Sequence, residues 1–119
     1  MAKVLVVDDS STVRNEVSSY LTAQGIAVDT AVDGVDGLAK IQRDSELKLV
    51  LCDVNMPNMD GLTMVEKVKQ SGKVISIIML TTESNPNMKQ RGKDAGVKGW
   101  IVKPFNGDAA ITGIKKMIS

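Results

Sequence analysis

The sequence predicts a three-layer α/β fold, in which a five-stranded parallel sheet has helices on both faces. Short apolar runs alternate along the chain with longer stretches of helical period, and strands separated in this way need crossover connections that make the sheet parallel. The 119 residues are 43% hydrophobic and 24% charged, so the chain is expected to form one domain over residues 1–119.

The first half of the chain contains three of the predicted strands, which are the apolar runs 4–7, 26–31 and 47–52. The first strand leads into two aspartates and two serines, and Ser10 or Ser11 can cap the helix that follows. This helix stops before Gly25, and its apolar face comprises Val13, Val17, Tyr20 and Leu21. Asp33 and Asp36 are expected at the start of a second helix, which is marked by Val35, Leu38, Ala39 and Ile41.

The second half adds strands at 74–80 and 100–102 and three helices. Asp60 is expected to cap the third helix or form the turn before it; this helix ends near Gly72 and carries Leu62, Val65 and Val68. Asn85 and Pro86 suit the start of a fourth helix that runs to about Ala95. The apolar face of the last helix comprises Ala109, Ile111, Ile114 and Met117.

Composition excludes several classes of function. A net charge of +1 gives no basic field for DNA, and no apolar run is long enough to span a membrane, so we expect a cytoplasmic protein that binds neither. Because the first predicted strand begins near the start of the sequence, we expect no signal peptide. Because the chain has no histidine, it cannot build a histidine-based triad or a histidine-ligated zinc or haem site. Its single cysteine, Cys52, is expected to be a buried thiol.

Five polar residues follow the predicted strands, and they are Asp8, Asp9, Asp53, Thr81 and Lys103. In doubly wound sheets, ligands bind at the carboxyl ends of the strands where the strand order reverses, and for the order 2-1-3-4-5 this point lies between the first and third strands. Three converging carboxylates repel each other unless a cation lies among them. Oxygen ligands of this kind suit Mg²⁺, so we expect a magnesium site here.

The same residues suggest a reaction. Beside a magnesium ion, a carboxylate can stay ionised and attack phosphorus to form an acyl phosphate. Asp53 is the candidate nucleophile because it stands alone at its strand end, whereas Asp8 and Asp9 form a pair suited to holding the metal. Lys103 and Thr81 can contact phosphoryl oxygens, and the bond between Lys103 and Pro104 is a candidate cis peptide.

These motifs resemble those of the receiver domains of two-component response regulators, in particular stand-alone, CheY-like receivers. The resemblance implies the doubly wound, flavodoxin-like fold with the strand order 2-1-3-4-5. The resemblance rests on Asp8-Asp9, the run 53–61, Thr81 and Lys103-Pro104, in that order and at matching spacings, and it covers essentially the whole chain. It implies that a CheA-like sensor histidine kinase phosphorylates Asp53. It also implies that Asp9 and Asp53 bind Mg²⁺ directly, that Asp8 acts through water, and that the backbone carbonyl of Asn55 is a further ligand.

The resemblance further implies regulatory roles. Asn55 and Glu83 match positions that tune hydrolysis of the phosphoryl group, and Thr81 and Trp100 match a switch pair in which tyrosine or phenylalanine is commoner than tryptophan. The fourth helix is expected to be mobile, because its apolar stripe is short and Gly92 costs about 1 kcal/mol relative to alanine. We predict that the fourth helix, the fifth strand and the last helix form the face for an output protein, with exposed or half-exposed residues Lys89, Arg91, Lys93, Lys98 and Trp100.

Several functions are compatible with these features. A receiver could act in chemotaxis or pass its phosphoryl group to a histidine phosphotransfer protein, and in both cases it is a switch and not an enzyme. A last helix that ends at Ser119 favours a stand-alone receiver. A small aspartyl-phosphate hydrolase is an alternative, although Asn55 stands where those enzymes place a second aspartate. A flavin-binding protein shares the fold, but Asp8 and Asp9 would repel the phosphate of its cofactor.

Overall fold

The computed structural model describes residues 4–119, and its five parallel strands lie in the order β2-β1-β3-β4-β5. The strands are β1 (Val4–Val7), β2 (Val28–Ala31), β3 (Leu49–Cys52), β4 (Ser76–Thr81) and β5 (Gly99–Val102). The helices are α1 (Ser11–Ala23), α2 (Gly34–Arg43), α3 (Gly61–Gln70), α4 (Pro86–Asp94) and α5 (Gly107–Ile118). The predicted fold class and strand order are confirmed.

The sheet separates two apolar cores, because successive side chains of each strand point to opposite faces. In β1, Leu5 and Val7 enter one core and Val4 and Val6 enter the other. The first core is completed by α2 and α3 with Ile41, Leu62, Val65 and Val68. The second core is completed by α1 and α5 with Val17, Leu21 and Ile114. The central strands β1 and β3 are therefore buried along their whole length.

Each helix begins at a polar residue whose side chain accepts a hydrogen bond from the first turn. These capping residues are Ser10, Asp33, Asp60, Asn85 and Asn106 for α1 to α5 in order. Such caps satisfy backbone N–H groups that have no partner inside the helix. The expectations for Asp33, Asp60 and Asn85 are confirmed, and Ser10 is the cap of α1.

Three strands begin two residues later than predicted. Ile26 is not in β2, because its N–H donates to the carbonyl of Leu21 (3.1 Å) and closes the end of α1. Val74 is not in β4, because the pairing with β3 begins at Ser76, and its side chain is 97% exposed. Leu47 precedes β3, and its N–H points to the Asp44 carbonyl at 3.5 Å across a turn. Two of the apolar runs extend beyond their strands because Ile26 and Leu47 are buried beside a helix end and a turn, whereas Val74 is exposed and covers neither.

In two helices most of the apolar residues singled out from the sequence pack against the core, namely Leu38 and Ile41 in α2 and Ile111, Ile114 and Met117 in α5, but some do not. In α2, Val35 is 51% exposed and Ala39 is exposed, and the buried residues are Gly34, Gly37 and Ile41. A Cβ at Gly37 would lie 2.8 Å from Met64 Sδ, so glycine permits the close contact between α2 and α3. In α5, Ala110 and not Ala109 packs inward. An apolar pattern that leaves glycine out therefore did not indicate that Gly34 and Gly37 form much of the buried face of α2.

Cys52 ends β3 and is fully buried, as predicted. Its Sγ donates to the backbone carbonyl of Asp53 at 3.1 Å. Burial, reinforced by the negative charges of neighbouring aspartates, raises the pKa of this thiol well above its usual value. Within residues 4–119, no helix has the length and apolar character needed to cross a membrane.

Candidate functional site

The acidic residues come together because β1 and β3 are neighbours in register. Val7 pairs with Cys52, so Asp8 and Asp53 leave the sheet side by side, and the Asp53 N–H donates to the Val7 carbonyl (3.0 Å). Asp8 is 1% exposed and Asp53 is 8% exposed, while Asp9 is exposed to solvent. One carboxylate oxygen from each of the three residues lies within 4.8 Å of the others. The predicted convergence of these aspartates is observed.

Lys103 supplies a positive charge to this cluster. It directly follows β5, where its N–H donates to the Thr81 carbonyl (2.9 Å), and the Lys103–Pro104 peptide is cis, as predicted. Its Nζ donates to Asp8 Oδ2 at 2.8 Å and to Asp53 Oδ2 at 3.1 Å. Burial alone would lower the pKa of Lys103, but these hydrogen bonds and the two negative charges raise it. The lysine is therefore held as an ammonium between two buried carboxylates.

The lysine does not fully compensate the acidic cluster. Burial raises the pKa of Asp8, and the charge of Asp53 raises it further, against the opposing effect of the hydrogen bonds from Lys103 and Ser10. One ammonium faces three carboxylates, of which only Asp9 is well hydrated. A set of carboxylate oxygens with an open, solvent-facing side fits a magnesium ion, which keeps several water ligands. The residues present therefore fit the predicted Mg²⁺.

Thr81, Glu83, Asn55 and Trp100 form a connected chain of hydrogen bonds beside the acidic cluster. Thr81 is fully buried, and its Oγ1 accepts from the N–H of Glu83 (3.2 Å). Asn55 Nδ2 donates to Glu83 Oε1 (2.9 Å). Trp100 Nε1 donates to the backbone carbonyl of Glu83 (2.7 Å). The two residues assigned to hydrolysis and the two assigned to switching therefore meet at the β4–α4 loop, a connection that the sequence did not reveal.

The indole of Trp100 packs towards α4. The ring is half-buried, and a Cβ at Gly92 would lie 3.1 Å from it. Gly92 is the buried residue of α4. The absence of a side chain at position 92 thus makes room for the large ring at position 100. Sequence reasoning treated Gly92 only as a weak point of the helix and missed this pairing.

The surface around α4 and β5 carries the predicted exposed cations. Lys89, Lys93 and Lys98 are exposed, and together with Trp100 they line a shallow groove of about 290 Å³. Arg91 is also exposed, but its guanidinium is paired with both carboxylate oxygens of Glu66 on α3, at 2.8 and 2.6 Å. The predicted exposure is confirmed for all five residues, whereas Arg91 is tied to a neighbouring helix.

Two further contacts hold the loops of the site and were not predicted. Arg14 Nη1 donates to the backbone carbonyl of Asp8 (2.7 Å). Asn58 Nδ2 donates to Asp33 Oδ2 (2.7 Å), which joins the β3–α3 loop to the start of α2. A sequence signal existed for Asn58, since it stands in a Pro-Asn turn and asparagine tolerates the left-handed conformation (φ 69°) that it adopts. Its partner, Asp33, lies 25 positions earlier in the chain, and no sequence pattern indicated the contact between them.

The comparison with protein families agrees with this geometry. The family model described as "Response regulator receiver domain" matches residues 4–115. This chain belongs to the response regulator receiver family. The receiver is 42% identical over 106 residues to the chemotaxis protein CheY1 of Helicobacter pylori, a match that covers 87% of this chain and 86% of that protein.

Solved structures give the same result. The receiver superposes on the Vibrio cholerae chemotaxis protein CheY4 with a TM-score of 0.88 and 44% identity, covering 98% of both chains. It also resembles the Thermotoga maritima response regulator TrrA, whose structure is a complex with Mg²⁺ and BeF (TM-score 0.86, 31% identity, 98% of this chain and 99% of that one). The receiver is therefore CheY-like in fold and has chemotaxis homologues.

Proposed function

We propose that this receiver accepts a phosphoryl group on Asp53 from the phosphohistidine of a CheA-like sensor kinase, with Mg²⁺ at the acidic cluster. The observation that carries the proposal is the geometry around Asp53. Its carboxylate lies beside Asp8 and within 3.1 Å of the Lys103 ammonium, at the carboxyl end of the central strand. This arrangement offers one oxygen nucleophile together with positive charge for the group it receives.

In the proposed reaction, an Asp53 carboxylate oxygen forms a bond to phosphorus. The bond between phosphorus and the imidazole nitrogen of the kinase breaks, and that nitrogen leaves with the electron pair. Mg²⁺ held by Asp8, Asp9, Asp53 and the Asn55 carbonyl would neutralise charge on the transferred oxygens. Lys103 Nζ and the Thr81 hydroxyl would donate to phosphoryl oxygens, because both already lie at the ends of neighbouring strands.

The signal would leave the site through the β4–α4 loop. A phosphoryl group adds nearly two negative charges and three acceptor oxygens, which would draw Thr81 and Lys103 towards Asp53. Thr81 accepts from the Glu83 N–H, and Trp100 donates to the Glu83 carbonyl, so a shift of the loop would reach β5 and α4. The output protein would bind the face formed by α4, β5 and α5.

We infer that the receiver is a cytoplasmic switch and not a metabolic enzyme. It would catalyse only its own phosphorylation and dephosphorylation. Asn55 and Glu83, linked by a hydrogen bond of 2.9 Å, would set the rate at which water removes the phosphoryl group. The relatives named as chemotaxis proteins favour a role in chemotaxis over a relay to a histidine phosphotransfer protein.

Intact-protein mass spectrometry after incubation with acetyl phosphate and Mg²⁺ tests the proposal. We expect one added phosphoryl group on the wild type and none on Asp53→Asn. Asp60→Asn is a matched control, because Asp60 caps α3 at the end of the same loop and takes no part in the acidic cluster. An adduct that persists in Asp53→Asn, or that is lost equally in Asp60→Asn, would contradict the assignment.

A further inference from the structure

We propose that Asn58 and Asp33 are positioning residues for the metal site. They hold the β3–α3 loop (residues 54–60) in the shape that presents Asn55 to Mg²⁺. This inference rests on the proposed function, because it concerns the loop that follows Asp53 and carries the fourth predicted ligand. Neither residue contacts the acidic cluster directly. Their effect would pass through the backbone of the loop.

Two hydrogen bonds join the far end of the loop to the start of α2. Asn58 Nδ2 donates to Asp33 Oδ2 at 2.7 Å, and the Gly34 N–H donates to the Met59 carbonyl at 3.0 Å. A Cβ at Gly34 would lie 2.4 Å from the Met59 carbonyl oxygen, so the two backbones approach closely. The loop therefore packs directly against the N-terminal end of α2.

Asp33 is suited to be the fixed partner in this contact. It is 8% exposed, and its other oxygen, Oδ1, accepts from the Asp36 N–H (2.8 Å) as the cap of α2. These hydrogen bonds, first from the Asp36 backbone and then from the Asn58 amide, lower the pKa of Asp33. The amide of Asn58 thus bonds to an ionised acceptor, which makes a stronger hydrogen bond than a neutral one.

The end of the loop next to β3 is held by hydrogen bonds within the loop itself, so Asn55 lies between two fixed segments. The Val54 N–H donates to Asp53 Oδ1 (2.7 Å), and the Gly61 N–H donates to the Val54 carbonyl (2.8 Å). At the far end, Asn58 is in the left-handed region with φ 69°, which a residue other than glycine, asparagine or aspartate rarely adopts. The hydrogen bond from the Asn58 side-chain amide to Asp33 stabilises this backbone conformation and thereby fixes the segment that contains Asn55.

Magnesium titration by calorimetry, with thermal unfolding of the metal-free protein, tests the inference in four proteins. These are the wild type, Asn58→Gly, Asp33→Asn and Asp36→Asn. Glycine permits the left-handed conformation of residue 58 and removes the amide, although it adds backbone freedom that Asp33→Asn does not. Asparagine at position 33 keeps a good helix cap and removes the charge. Asp36→Asn is the control for Asp33→Asn, because it removes the same charge at the start of the same helix. Asp36 accepts a hydrogen bond from the Val32 N–H and does not contact the loop.

We expect Asn58→Gly and Asp33→Asn to weaken Mg²⁺ binding about tenfold, as is typical when a residue that orients a ligand is lost. A fifth protein that combines Asn58→Gly with Asp33→Asn should bind Mg²⁺ no more weakly than either single variant, since both changes remove the same hydrogen bond. Asp36→Asn should bind like the wild type. At saturating Mg²⁺ the acetyl phosphate adduct should return in both loop variants, which a general loss of structure would not allow.

Undiminished Mg²⁺ affinity in both loop variants would overturn this inference, even if their metal-free unfolding temperatures fell. A loss of affinity in Asp36→Asn equal to that in Asp33→Asn would overturn it as well, since the effect would then belong to α2 as a whole. If the folded wild type bound no Mg²⁺, the proposed function would fail together with this inference. The behaviour of the wild type therefore distinguishes the two failures.

Discussion

Asp8 is the residue at which folding and function conflict most directly. Its carboxylate is almost fully buried, and burial together with Asp53 raises its pKa despite the hydrogen bonds from Lys103 and Ser10. The metal-free fold therefore carries an unfavourable negative charge at neutral pH. Groups that destabilise the fold are common at functional sites, because function there depends on groups that lower stability.

We predict that Asp8→Asn stabilises the metal-free protein at pH 7 by on the order of 1 kcal/mol. Because the pKa is raised in the folded state, the wild type loses stability relative to the variant as pH rises from the ordinary value of 3.8 through the folded pKa. Thermal unfolding in EDTA should show a gap between the two proteins that shrinks from pH 7.5 towards pH 4. A variant that is less stable than the wild type at pH 7 would contradict the prediction.

Gly92 gives a second prediction at the residue scale. Replacing an exposed helical glycine by alanine normally stabilises a protein by about 0.5–1 kcal/mol, and Gly113→Ala in α5, where a Cβ meets open space, should show this gain. Gly92→Ala should gain less or lose stability, because its Cβ would lie 3.1 Å from the Trp100 ring. Denaturant unfolding measures both variants, and a shift in tryptophan emission should appear only for Gly92→Ala. Equal gains without an emission shift would refute the pairing.

At the scale of elements, α3 and α4 are neighbours with very different packing. Five residues of α3 are buried, namely Gly61, Leu62, Met64, Val65 and Val68. For α4, the buried residue is Gly92 alone. Apart from the partly buried Met88, α4 is held mainly by polar contacts, including the bidentate pair between Arg91 and Glu66 and a hydrogen bond from Lys69 Nζ to the Asp94 carbonyl (2.7 Å). Exposed ion pairs of this kind contribute little stability.

We therefore predict that the amides of α4 exchange with solvent faster than those of α3. Local opening requires less free energy where few apolar groups are buried. Hydrogen exchange followed by NMR measures both helices in one sample, and α3 serves as the internal reference. Comparable protection in the interiors of the two helices would show that the polar contacts alone hold α4 in place.

The elements also show which features the sequence could predict. The strand ends were predictable because Asp8, Asp53, Thr81 and Lys103 each follow a short apolar run, and parallel strands bring their carboxyl ends together. The buried face of α2 was not predictable from apolar residues, since glycine at positions 34 and 37 makes its closest contacts. The bonds from Asn58 to Asp33 and from Trp100 to Glu83 join residues 25 and 17 positions apart, and no local pattern encodes them.

At the scale of the whole molecule, ion binding at one edge of the sheet should stabilise the entire fold. A ligand that binds only the folded state adds about 2.7 kcal/mol of stability at 100 times its dissociation constant. We predict that the unfolding temperature of the wild type rises with Mg²⁺ concentration, and that Asp53→Asn shows a much smaller rise. Calorimetry in magnesium and in sodium chloride of equal ionic strength separates specific binding from screening. Equal rises for the two proteins would place the ion elsewhere.

The burial of Cys52 has a practical consequence. Its thiol lies at the end of the central strand beneath Asp53, and it is the sole cysteine of the chain. A thiol-reactive dye can reach it only when the middle of the sheet comes apart, so the labelling rate counts those rare openings in the unmodified protein. Slower labelling after addition of magnesium or a phosphodonor would report tightening of the molecule without any engineered probe.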